Sequence, residues 1–184
     1  MSLTQTGWVP LGAALLGAVA GAGISWRALA WNAEKEWKRK KAQARLALQV
    51  EMYLNAQILS AAAKGTDGQA RRLAPVLTER KFGVAFQAYF TEAMEGVAWG
   101  VVDLVIDAYG YAQVFFEGGL MHGVSGGGGV RKHAAKNMES FCKAIRAMSK
   151  YGKLEDSFYE EVERLEKSLL RHGPQKGLPA DSQP

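Results

Sequence analysis

From Trp8 to Trp26 the chain reads WVPLGAALLGAVAGAGISW, 19 residues without a charge. As a helix it would span roughly 28 Å, close to the hydrocarbon thickness of a bilayer. A tryptophan stands at each end, where an amphipathic ring prefers the headgroup level. Pro10 falls in the first turn, where a missing N–H costs little. The expectation is a transmembrane helix over 8–26, with Trp8 and Trp26 at the two interfaces. Ala28-Leu29-Ala30 mimics a signal-peptidase site, but residues 1–7 hold no Lys or Arg, so a basic leader region is missing and a retained anchor is expected.

The flanks orient such a span. No basic side chain precedes it, whereas Arg27, Lys35, Lys38, Arg39, Lys40, Lys41 and Arg45 follow. The positive-inside bias then leaves 1–7 as a short extracytoplasmic N-terminus and puts residues 27–184 in the cytoplasm. The expected location is the plasma (inner) membrane, crossed once. Arg27, Trp31, Trp37, Lys38, Arg39, Lys40 and Lys41 are the expected membrane-interface residues. Fixing topology is their first role, and contact with anionic lipid is the alternative. Within the span, Ala13, Gly17 and Gly21 recur every four residues, a spacing of small residues that lets helix backbones approach. They are the expected helix-association positions, toward another membrane subunit or a second copy.

Composition gains meaning only once this segment is set apart. Overall 48% of residues are apolar and 22% charged, ordinary for a globular chain. Yet 7–31 hold one charge and 34–45 hold eight. Neither Pro nor Gly occurs from Ile24 to Lys64, so 27–64 is expected as a basic juxtamembrane and stalk helix continuing from the span. Leu46, Val50, Leu54 and Ile58 repeat at i+4, joined by Tyr53 and Ala61, and predict its apolar side. Gly65-Thr66-Asp67-Gly68 ends it.

Residues 65–172 are expected to complete a bundle of about four helices, making the chain all-α. Thr78 is the expected N-cap of a helix carrying Phe82, Ala85, Phe86, Tyr89 and Phe90. Val97–Phe116 is long enough to threaten the single-span reading. However, Asp103, Asp107 and Gln113 project to one side, while Val97, Val101, Leu104, Val105, Ala108, Ala112 and Phe115 project to the other, so it reads as an amphipathic core helix. The carboxylates Asp103 and Asp107 read as a solvated stripe. Residues 118–129, GGLMHGVSGGGG, are a flexible linker, since a phosphate loop needs a preceding strand and a Lys-Ser/Thr pair that are missing here.

A basic helix follows over 130–150, with Ala134, Met138, Phe141, Ile145 and Met148 as its stripe. An acidic-rich helix over 156–171 has Phe158, Val162, Leu165 and Leu169 as its own, with Ser157 and Glu160 as a capping box. Opposite charge predicts that these two pair with each other rather than with a membrane. Residues 173–184 read as a disordered tail.

The layout resembles a loose group of uncharacterised bacterial proteins. In these, one span leads through a basic linker to a helix with a Glu-x-x-x-Asn element, here Glu51 to Asn55, and a later Ala-Tyr, here Ala108-Tyr109. The resemblance covers residues 8–116. It implies topology and no activity.

No constellation of nucleophile, base or metal ligands stands out. His122, His133 and His172 are scattered, and the single cysteine, Cys142, reads as a buried small apolar residue. Expected catalytic residues, metal ligands and cofactors are therefore none, and the chain is not expected to be an enzyme. The expected function is that of a membrane-tethered helical interaction protein, an accessory subunit, scaffold or sensor. The alternative is an anionic-lipid-binding or membrane-remodelling protein that uses 35–45 and 131–150. The expected partners are membrane lipid and another protein, with a homo-oligomer as an option. Nucleic acid is disfavoured, because no recognition module is present.

Overall fold

The computed structural model describes residues 8–64, 83–118, 129–152 and 154–171, with side chains at 17–64, 83–115, 131–152 and 154–168. The described residues form five α-helices and no strand: α1 (Trp8–Lys64), α2 (Val84–Met94), α3 (Trp99–Gly118), α4 (Gly129–Met148) and α5 (Asp156–Arg171). The all-α expectation holds. Helix α1 is unbroken and stops just before Gly65, where the glycine-containing run begins. The chain divides into two compact units, Met1–Lys41 and Ala42–Pro184.

The first unit corrects the sequence reading. Among the described residues, no helix is long and apolar enough to cross a membrane. The single span over 8–26 is therefore not supported, and neither is the plasma-membrane location that put 1–7 outside and 27–184 in the cytoplasm. The physical reason lies in side-chain size. From Gly17 to Trp26, six of ten residues are Ala or Gly, which remove little apolar surface from water when buried. Beyond Arg27, charge returns from Glu34 onward. Residues 1–7 and the side chains of Trp8 and Ala13 lie outside the described residues.

The core belongs to the second unit. Ala44, Leu48, Met52, Ala56 and Leu59 of α1 meet Val105, Ala108, Tyr109 and Ala112 of α3 and Ala134, Met138, Phe141, Cys142 and Ile145 of α4. Helix α4 packs on both α3 and α5. Its expected stripe of Ala134, Met138, Phe141, Ile145 and Met148 is buried throughout, and so is Cys142. The basic and acidic helices do pair within the chain, and Arg146 and Glu166 form an ion pair between them. On α3, Val105, Ala108, Ala112 and Phe115 are buried as expected, Val102 and Tyr109 join them, and Leu104 is exposed.

Helix α1 is rotated from the expected phase. Leu46, Val50 and Leu54 are exposed, and the side about half a turn away is buried. On that side Ala44, Ala56 and Ala62 alternate with Leu48, Met52 and Leu59, a mix of small and large side chains that packs closely.

Two glycines set the path around α2. Gly83, just before it, has φ 78, and Gly96, just after it, has φ 75, left-handed values that cost other residues strain. The second lies between the end of α2 at Met94 and the start of α3 at Trp99. Ser157 lies within the first turn of α5 rather than at its N-cap, and its hydroxyl donates to the Glu155 carboxylate, so the expected Ser157–Glu160 capping box is not seen. Of the expected linker 118–129, Gly118 and Gly129 belong to helices, while residues 119–128, Thr78, Phe82 and the expected tail 173–184 lie outside the described residues.

Candidate interaction surface

Between Ala42 and Ala63 only two residues are charged, Arg45 and Glu51. Both are bound to the ends of neighbouring helices. Glu51 accepts hydrogen bonds from the backbone N–H of Ala85 (2.9 Å) and of Phe86 (3.0 Å) in the first turn of α2. It also accepts one from the Tyr109 hydroxyl at 2.7 Å. Gly83, the N-cap of α2, has no side chain to close the helix. A carboxylate from α1 does so instead, where free N–H groups and the helix dipole favour negative charge. Burial first, then the adjacent Glu51 carboxylate, pushes the Tyr109 hydroxyl pKa up. Its ring stacks on Phe86 at 4.2 Å and meets the edge of Phe141 at 5.2 Å.

Arg45 serves the opposite ends. Its guanidinium donates to the carbonyls of Ala93 (2.9 Å), Glu95 (2.8 Å) and Tyr151 (2.9 Å). These lie at the C-terminal ends of α2 and α4, where carbonyls are left over and a cation is favoured. One turn on, buried Gln49 donates to the Gly152 carbonyl at 3.0 Å and accepts from Tyr159 at 3.1 Å. Arg131 of α4 donates to the Ala63 carbonyl at 3.1 Å and so closes the end of α1.

With its charges turned inward, the outer face of α1 is neutral. Gln43, Leu46, Val50, Leu54, Gln57 and Ala61 are exposed along about five turns. Tyr53, half-buried at its border, contacts Phe158 of α5 at 4.9 Å. Helix α3 offers a second outer face that mixes exposed Trp99, Ile106 and Val114 with exposed Asp103 and Asp107. The latter pair is a solvated stripe, as expected. Among the described residues, no group of three or more His, Cys, Asp or Glu is placed to hold a metal ion.

The basic side chains of α4 are largely engaged within the chain. Besides Arg131 and Arg146, Lys143 pairs with Glu139 at 2.7 Å and Lys136 lies 5.5 Å from the Tyr111 ring centre. The side chains expected at a membrane interface lie instead on an open stretch of α1. Trp26, Arg27, Trp31, Trp37, Lys38, Arg39 and Lys40 are exposed and Lys41 is half-buried. Gly17 and Gly21 face open space, with nothing within 4 Å of where a side chain would start. Sequence reasoning missed Arg45 as the donor to the C-terminal ends of α2 and α4, and Glu51 with Tyr109 as a pair at the start of α2. Two charges on the otherwise neutral stretch from Ala42 to Ala63 were the available signal.

Comparison of the chain with protein-family models, with curated proteins and with solved structures finds no match.

Proposed function

We propose that this chain is an all-helical interaction protein, an accessory subunit, scaffold or sensor, whose second unit docks another protein on the outer face of α1. One observation carries the reading. Leu46, Val50 and Leu54 stand exposed on a helix face that bears no charge between Ala42 and Ala63. Solvated helix faces are ordinarily charged, and clustered apolar side chains left in water favour a partner that covers them. An amphipathic helix laid along this face, anchoring at i and i+4 positions, fits its shape. No catalytic step is assigned to it.

The test is a photo-crosslinking amino acid placed at Val50, with Lys132 on the exposed side of α4 as the control position. The proposal expects reproducible adducts with the same protein from Val50 and not from Lys132. It expects them to disappear with Leu46→Glu and Leu54→Glu while the helical spectrum is retained. Adducts that are equal at the two positions, or that persist in the double variant, would refute it.

A further inference from the structure

From Gly17 to Lys40 every described side chain of α1 is exposed, in a segment that carries both large apolar groups and a strong positive charge. At 100° per residue, Val19, Ala22, Trp26, Ala30, Ala33 and Trp37 fall on one stripe no wider than about 80°. Val19 is 68% exposed and Trp26 77%. Leu29 and Lys40 border the stripe on one side and Lys41 on the other. Trp31 projects from the opposite side, where the Lys35 ammonium lies 3.5 Å from its ring centre. Lys41 lies 5.0 Å from the Trp37 ring centre, at the stripe's own edge. Between Trp26 and Lys41 there are six basic and two acidic residues, a net charge of +4.

We infer that this stretch of α1 lies along the surface of an anionic lipid bilayer, with Val19, Trp26 and Trp37 toward the acyl boundary and the basic side chains among the headgroups. The orientation is parallel to the surface and involves no crossing. Tryptophan favours the headgroup level, where the ring is buried and the indole N–H stays hydrated. Lysine and arginine lay their stems on apolar surface while the charge reaches outward to lipid phosphate. A bilayer surface thus takes up both kinds of side chain at once. A second copy of this segment would set +4 against +4. A nucleic acid would satisfy the cations and leave Val19 and Leu29 in water. The inference goes beyond the docking face of the second unit and shares no residue with it.

The experiment uses the full chain with vesicles of phosphatidylcholine, alone and with phosphatidylserine added, read by co-sedimentation and tryptophan emission. Binding is expected only with phosphatidylserine present, and salt should weaken it. Each charge removed from among Lys38, Lys40 and Lys41, as in Lys40→Gln, should weaken it by roughly fivefold. Trp26→Ala with Trp37→Ala should weaken it at least tenfold, while Trp31→Ala stays within about twofold. Trp26, Trp31, Trp37, Lys38 and Lys40 are exposed and Lys41 is half-buried, so an unchanged helical spectrum is expected of every variant. Equal binding to neutral vesicles, no binding to either, or an equal loss from Trp31→Ala overturns the inference. So does self-association or retention on duplex DNA in place of vesicle binding. A failure here leaves the Val50 crosslinking result intact, and the converse holds.

Discussion

Tyr109 donates a 2.7 Å hydrogen bond to the carboxylate of Glu51, 58 positions away in the chain, and the same carboxylate caps the first turn of α2. One side chain of α1 thereby ties two other helices to it. Removing it opens the α2 N-terminus and takes away the Tyr109 hydrogen bond to the carboxylate. Glu51→Ala is expected to cost about 2–3 kcal/mol, from a lost cap and a lost charge-assisted bond. Tyr109→Phe keeps the stacking on Phe86 and should cost about 1–2 kcal/mol. The double variant should cost less than the two together, measured as urea midpoints with an unchanged slope. Additive losses would mean that the hydroxyl and the carboxylate act independently.

Arg45 provides a second such tie, from the opposite charge. Three carbonyls converge on one planar guanidinium, two from the end of α2 and one from the turn after α4. Arg45→Met keeps much of the stem and leaves those carbonyls without their donor, with an expected loss of about 2–4 kcal/mol. Arg45→Lys should recover only part of it, because a single ammonium cannot reproduce the fork. Thermal and urea unfolding of both variants check this, and a lysine variant as stable as the parent would show that charge alone suffices.

How far the sequence could be read depended on contrast between helix faces. On α4 and α5 one side is apolar and the other charged, so the stripes through Met138, Phe141 and Ile145 and through Phe158 and Val162 were legible. On the second half of α1 that contrast is missing. The largest aliphatics, Leu46, Val50 and Leu54, drew the stripe to the outer face, while the core side is built partly from alanines. The two charges misled as well, since a charged residue ordinarily marks the wet side, and here each is bound to helix ends. Those ends come from segments tens of residues away, and no local periodicity reports such a pairing. In the first unit, the tryptophans and lysines that the sequence marks for an interface are exposed along α1, Lys41 half-buried. Their orientation around the helix depended on the helix being continuous there.

Alkaline pH should weaken the fold. Burial, reinforced by Glu166 and Glu139 and opposed by Arg146, pushes the Cys142 thiol pKa from 9.0 up to about 12. Tyr109 is raised as well, chiefly by burial and then by Glu51. A raised pKa means that the folded chain holds the proton more tightly than the unfolded chain does. The resulting stability is complete below the unfolded thiol value near 9 and is lost as pH climbs toward about 12. Urea midpoints should therefore fall above about pH 9, and Cys142→Ala should make the fall shallower. At about pH 8 the thiol should also label only as fast as the helices open, because it is both protonated and fully covered. Labelling at the rate of a free thiol would contradict this burial.

The rotation of α1 makes its own prediction, from two leucines six positions apart. Leu48 is 0% exposed and Leu54 is 44% exposed. Truncating the first leaves a hole among Met52, Phe141 and their neighbours in the core, whereas truncating the second removes surface that water already reaches. Leu48→Ala should cost about 2–5 kcal/mol. Leu54→Ala should cost under about 1 kcal/mol in the isolated chain. In the presence of the proposed docking partner, Leu54→Ala should lower affinity while leaving the unfolding midpoint of the free chain nearly unchanged. The apparent phase of the i+4 repeat predicts the reverse order of stability losses, so urea unfolding of these two variants separates the two faces directly. Equal costs would place both leucines at the core boundary and remove the basis for an outer docking face.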